Sequence, residues 1–215
     1  MQVSVWGLSL IAALAPCSPS LLSGTHVNAA SFERPSTTIA KKADSIVVDN
    51  FAGDRPFTTT SSAYDAKTLK LLSTHQVANC CGFYWEASAT KNPDGTFDVR
   101  LHATWSNANG TRESDDRNPH LQLTGDLAVS DVALVPWIYN QTHAHQMDRI
   151  VLNPIGIETF AVAEAPSQTP PSDVAPTDRA LQLVRPNGST VTVWYDPCTF
   201  AVDSGAWPFW SPPAN

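Results

Sequence analysis

Two alternating polar and apolar stretches, 83–90 (FYWEASAT) and 96–105 (TFDVRLHATW), flank Lys91-Asn92-Pro93-Asp94-Gly95. A period of two sends successive side chains to opposite faces of a sheet, and Pro-Asp-Gly supplies a turn, so the segment predicts an antiparallel hairpin. The period recurs downstream. Residues 180–184 (ALQLV) and 189–195 (STVTVWY) meet through Arg185-Pro186-Asn187-Gly188, and 148–152 and 157–163 meet around Pro154-Ile155-Gly156. Two further strands are expected at 120–128 and 131–139. Short strands at this spacing predict a mainly β fold, an antiparallel sandwich or a bent sheet. One packed α-helix is expected over 62–73 (SAYDAKTLKLLS), which makes α+β the neighbouring class. Ser62 is its expected N-cap, Asp65 the acidic half of a capping-box-like start, and Leu69 and Leu72 its apolar stripe.

A length of 215 residues corresponds to one domain with tails. Only 15% of residues are charged and 17 are proline, so solvation rests on hydroxyls and amides, as in secreted chains. The balance of 13 Lys plus Arg against 20 Asp plus Glu leaves a net charge of -7 with no basic block. That excludes DNA phosphates and anionic membrane surfaces as partners. Residues 5–15 (VWGLSLIAALA) form an apolar run too short to cross a bilayer but suited to the core of a secretory leader. Val27-Asn28-Ala29 places the expected cleavage after Ala29. The chain therefore divides into a signal peptide at 1–29, a Ser/Thr/Pro-rich disordered tail or pro-segment at 30–60, and a β-rich domain at 61–215. That domain contains a Pro-rich loop at 164–178. Loss of Cys17 with the leader leaves Cys80, Cys81 and Cys198; adjacent cysteines bond only through a strained ring, so Cys80 or Cys81 is expected to pair with Cys198. Sequons at Asn109, Asn140 and Asn187 mark expected glycosylation on an oxidising secretory route.

Register gives the first hairpin a candidate site. Opposing Phe83, Trp85, Ala87 and Ala89 to Ala103, Leu101, Val99 and Phe97 makes one face core. The other face then pairs Glu86 with Arg100 and Tyr84 with His102, beside Ser88 and Asp98. A carboxylate, a guanidinium, an imidazole and a phenol together suit a phosphodiester. Glu86 or His102 takes a proton from the attacking hydroxyl, the other protonates the leaving oxygen, and Arg100 neutralises the phosphorane charge.

Tyr84-Trp85-Glu86 resembles the Tyr-Tyr-Glu stretch of microbial guanyl-specific ribonucleases, and Asp148-Arg149-Ile150-Val151-Leu152-Asn153 resembles their arginine-bearing strand. The resemblance covers under ten residues. It implies a bent antiparallel sheet behind one helix and a site that has lost part of its set, as in the ribonuclease-like effectors secreted by plant-pathogenic fungi. The spacing between the stretches is much longer than the family's, and Ala87 follows Glu86 where the family has Trp-Pro.

His143 and His145 would share one face of a strand, with His120 as a third imidazole, but no third ligand is fixed and the segment reads as a loop. No metal or other cofactor is expected. Trp207 and Trp210 form an aromatic cluster near the C-terminus that would stack on sugar rings, the basis of a carbohydrate-binding reading. Together these features predict a secreted, extracellular, monomeric protein that binds a protein or glycan partner without catalysis, effector-like and virulence-associated, of a fungus. The alternatives are a degenerate ribonuclease-like phosphodiesterase and a carbohydrate-binding module.

Overall fold

The computed structural model describes residues 17–204 apart from 22, 28–35, 53–56, 81, 108, 125–126, 131, 153–154, 166–167 and 173. Its first eight strands run as an antiparallel meander: β1 Gly24–Val27, β2 Ser36–Lys41, β3 Ser45–Ala52, β4 Phe57–Asp65, β5 Leu71–Cys80, β6 Phe83–Lys91, β7 Phe97–Ser106 and β8 Arg112–Arg117. The short β9 (His120–Leu121) pairs with β7 beside β8. A second sheet follows in the order β10 (Ala128–Val129), β11 (Gln146–Leu152), β12 (Ile155–Glu164), β13 (Arg179–Val184), β14 (Thr190–Tyr195) and β15 (Val202–Ser204). The mainly β, antiparallel class, with a single helix among the described residues, is the class expected.

The two sheets enclose one core. Ile39, Ile46, Val48, Tyr64, Leu71, Trp85, Phe97 and Val99 from the large sheet cluster with Met147, Ile150, Phe160, Val162, Leu181, Leu183 and Val193 from the small one. Burial of this apolar surface is the main stabilising term. A polar staple crosses between the layers: the Ser62 hydroxyl lies 2.6 Å from that of Ser130 and 3.0 Å from that of Thr74, and the Ser130 amide donates to the Tyr64 oxygen at 3.2 Å. Since Ser62 and Thr74 are buried, these partners satisfy hydroxyls that would otherwise destabilise the core.

The expected hairpins at 83–105, 148–163 and 180–195 are present. In the first, the type of turn was legible. Gly95 sits at φ 92, a conformation that glycine adopts without a Cβ penalty, and the Asp94 carboxylate accepts from the Thr96 amide at 3.0 Å. Its register differs from the expected one by two residues: Trp85 opposes Ala103, Glu86 opposes His102 and Ser88 opposes Arg100. A slip of two keeps each residue on its face, so the apolar pattern cannot distinguish the registers.

The helix expected at 62–73 is corrected to two strands and a turn. Thr58, Thr59 and Thr60 stiffen β4, where β-branched residues are favoured, and both of its edges are paired. Capping chemistry exists at Asp65 but serves a single turn: its carboxylate accepts from the Lys67 amide at 3.0 Å and the Thr68 amide at 2.7 Å. Leu69 at φ 58 then ends the turn. These hydrogen bonds hold the Asp65 carboxyl below its ordinary pKa.

The helix lies instead at α1, Val135–Thr142, overlapping the second half of the strand expected at 131–139 and running three residues beyond it. Val135, Pro136 and Ile138 face the core, and His143 in the left-handed region terminates it. α1 connects β10 to β11, which are parallel, and a parallel pair requires such a crossover.

The tail expected at 30–60 contributes β2, β3 and the start of β4. Its low content of large apolar residues reflects a half-buried sheet: the face that supplies Ile39, Ile46 and Val48 to the core also buries Asn50, Thr58 and Thr60, and the other carries Ser36, Thr38, Asp49 and the exposed Phe51. Between β12 and β13, the described part of the Pro-rich loop contains neither strand nor helix.

The expected pairing of Cys80 or Cys81 with Cys198 is corrected as well. Cys198, in the turn between β14 and β15, bonds Cys17, with Cα atoms 5.7 Å apart. The Ser20 amide donates to the Cys198 carbonyl at 2.8 Å, and Leu21 is buried in the core. The N-terminal arm thus runs from a covalent anchor on the small sheet to β1 on the edge of the large one. Cleavage after Ala29 would remove both anchor and strand.

Candidate functional site

The outer face of the large sheet collects the residues singled out from the first hairpin. Tyr84, Glu86 and Ser88 project from β6, and Arg100 and His102 from β7. One row of paired residues runs Val77, Glu86, His102, Asp116 across β5 to β8. The next runs Ser61, His75, Ser88, Arg100 across β4 to β7. Neighbouring strands lie about 4.8 Å apart, so these groups are within reach of a single ligand.

Glu86 is held at both carboxylate oxygens. His75 Nε2 lies 3.0 Å from Oε1, and the Tyr84 hydroxyl donates to Oε2 at 2.6 Å. The hydrogen bond from Tyr84, then that from His75, favours the ionised form and draws the Glu86 carboxyl below its ordinary pKa. The same contact pushes the Tyr84 phenol up, because its proton is bound to the carboxylate. Across the sheet, His102 Nδ1 lies 2.7 Å from Asp116, and the Tyr84 and His102 rings are 6.2 Å apart, centre to centre. A third pair joins His120 Nδ1 to Asp98 at 2.8 Å. With the proton on Nδ1 directed at the carboxylate, each of His102 and His120 presents Nε2 outward.

Glu86 and Arg100 do not form the expected ion pair. The two-residue register shift puts Ser88 opposite Arg100 and moves the guanidinium to the adjacent row. Arg100, Asp98, Val99 and Asn118 line a shallow recess there. Tyr84, Glu86 and His102 do come together, joined by His75 and Asp116, which had not been singled out. Both went unrecognised because their strands did: β5 lay within and beyond the expected helix, and β8 (RESDDR) has no apolar alternation, its charge suiting a solvated sheet edge.

The face is open. Side chains of the three imidazole–carboxylate pairs are 45% to 67% exposed. Such groups interact through water, which weakens each pair and gives no desolvated pocket in which charge stabilisation is strong.

The ribonuclease-like stretches are separated. Arg149 lies on β11 in the small sheet and contacts Glu158 at 3.4 Å, with Arg185 on the other Glu158 oxygen at 3.2 Å. Arg149 and Glu86 therefore belong to different sheets. Asp148 beside it is fully buried and accepts from the Thr124 amide at 2.7 Å and the Thr124 and Thr159 hydroxyls at 2.8 and 2.7 Å, a structural network.

His143 caps α1 and His145 precedes β11, so the two do not share a strand face. Both rings lie against Tyr139. Among the described residues, no three His, Cys, Asp or Glu side chains converge on a metal position. Trp207 and Trp210 lie outside the described residues. Comparison with family models, curated proteins and solved structures finds no match.

Proposed function

We propose that this chain is a secreted, non-enzymatic binding protein, effector-like and host-interacting, that acts in the extracellular space of a fungus's host and engages its partner through the outer face of β5 to β9. The observation that carries this reading is the state of Glu86. Both of its oxygens are occupied by neighbours, its carboxyl is drawn away from the near-neutral range useful to a general base, and it stands on an open face. Such an array offers a fixed pattern of donors and acceptors rather than a reaction chamber.

The disulfide supports an oxidising destination. Among the described residues, no helix is long and apolar enough to cross a membrane. The secretory leader in this reading ends upstream of Cys17, so that the mature chain keeps its anchor. Asn109, Asn140 and Asn187 are exposed, in keeping with glycan attachment.

The test is cross-linking capture from host extracellular fluid, with wild-type protein beside a His75→Ala/Glu86→Ala/His102→Ala variant, alongside an RNA-hydrolysis assay. A host protein held by the wild type and lost by a folded variant is the expected result. RNA cleavage that Glu86→Gln abolishes would replace this reading with the phosphodiesterase one.

A further inference from the structure

Three of the six histidines of the chain stand on one sheet face, each against a carboxylate from a neighbouring strand. His75 on β5 lies 3.0 Å from Glu86 on β6, His102 on β7 lies 2.7 Å from Asp116 on β8, and His120 on β9 lies 2.8 Å from Asp98 on β7. Outward side chains two apart on one strand are about 7 Å from each other. Asp98, Arg100 and His102 therefore form a line along β7, with His120 beside one end, Asp116 beside the other, and Glu86 and His75 on the two preceding strands. All three imidazoles are about half exposed and exchange protons with solvent. Imidazole changes charge between about pH 5 and pH 8, so this face gains positive charge as that interval is crossed toward acid.

The surroundings on which that charge acts are acidic. Around His75 stand Glu86 from β6 and, across Ser61 of β4, Asp49 of β3. His102 has Asp116 from β8 on one side, and Glu86 and the Tyr84 phenol from β6 on the other. His120 faces Asp98 from β7 and feels Asp94 from the turn between β6 and β7. Two guanidiniums oppose these carboxylates: Arg100, and Arg112, which reaches the Thr104 hydroxyl at 3.4 Å. Arg117 and Asp115 neutralise one another at 2.7 Å, and Glu113 is engaged by Trp105 and Asn107. Five carboxylates against two guanidiniums leave the face acidic while the imidazoles are neutral, and balanced once all three carry a proton.

We propose that the outer face of β5 to β9 binds a basic protein segment near neutral pH and releases it in acid, as His75, His102 and His120 take up protons. The inference rests on the reading of this face as the binding surface and adds the chemistry of the partner and the condition for its release. A net charge of -7 on the chain steers lysine and arginine side chains toward it, and the carboxylates of the face give them partners. A protonated imidazole competes for the same carboxylates and repels the incoming cation. The hydrogen bond from Tyr84 holds the Glu86 carboxyl below its ordinary pKa, and that from His120 does the same for Asp98, so both stay ionised while the imidazoles titrate. The partner binds the deprotonated imidazoles better, so affinity is full above their titration range and falls as pH drops through it.

The probe is a synthetic arginine-rich peptide, titrated into the isotope-labelled, disulfide-bonded protein and followed by the backbone amide shifts of β5 to β9. At about pH 7.5 those amides are expected to shift together, and the affinity to fall about tenfold or more by about pH 5. In His75→Gln/His102→Gln/His120→Gln the side chains hydrogen-bond without titrating, so the peptide is expected to bind about equally at both pH values. The single variants His102→Gln and His120→Gln, each with a reduced fall, serve the same purpose should the triple variant fold poorly. Shifts confined to other surfaces, equal wild-type affinity at both pH values, or an undiminished fall in the glutamine variants would overturn the proposal. Peptide binding with this pH dependence, while no host protein is captured, supports the proton-gated basic site and removes the host-directed reading; a host protein captured equally at both pH values does the reverse.

Discussion

Replacing Cys17 and Cys198 together by serine removes the covalent tie between the N-terminal arm and the small sheet. The bonded residues are 181 positions apart. In the chain-entropy description, a closed loop of that length restricts the denatured ensemble enough to stabilise the fold by about 5 kcal/mol. For a domain of this size each kcal/mol moves Tm by about 2–4 °C, so the double variant should melt about 10–20 °C below the oxidised wild type. The full value applies if the arm stays docked through the Ser20 to Cys198 hydrogen bond and the burial of Leu21. Fraying of the arm would add to the loss. Calorimetry of both proteins, with a non-reducing peptide map of the wild type, measures the effect. Cys80→Ser and Cys81→Ser should retain both the disulfide and the wild-type Tm. A map joining Cys198 to Cys80 or Cys81, or a double variant melting within about 2 °C of wild type, would refute the reasoning.

Two further predictions concern individual side chains. Asp148→Ala leaves the Thr124 amide and the Thr124 and Thr159 hydroxyls without their charged acceptor and should cost about 3–5 kcal/mol in urea unfolding. A loss below about 1 kcal/mol would show that the network is not tightly coupled to folding. Glu86→Gln should change stability at pH 7 by under about 1 kcal/mol, because the carboxylate is solvated. Since its folded pKa is depressed, the wild-type advantage is present above the unfolded value of 4.5 and should vanish as pH falls through the lower, folded one. Melting curves from pH 7 down to 3 would reveal the opposite trend if Glu86 were held protonated.

Legibility in the sequence followed the range of the interaction involved. Period-two patterning and Pro-Asp-Gly and Asn-Gly turns are local, and they located β6, β7 and β11 to β14. The outward placement of Tyr84, Glu86, Arg100 and His102 was equally legible, because alternation assigns a face irrespective of partner. Pairing is different in kind. A two-residue slip preserves every face while exchanging every neighbour, and it separated Glu86 from Arg100 and placed His102 opposite it.

The tertiary structure decided what local preference left open. Residues 62–73 carry a usable capping signal, but β4 and β5 acquire paired neighbours on both sides, and that pairing outweighs helix propensity. The hydroxyl-rich stretch at 36–52 folds because Ile39, Ile46 and Val48 find a second sheet to cover them. Cys17 and Cys198 meet because the meander and the small sheet bring the two ends of the described chain to one place, a distance no spacing rule contains. By itself, then, the sequence determined the β class, the faces and the turns, all set within a few residues. Partners across 20 to 180 residues were chosen only when the sheets closed over a common core, since burial depends on the whole packed surface.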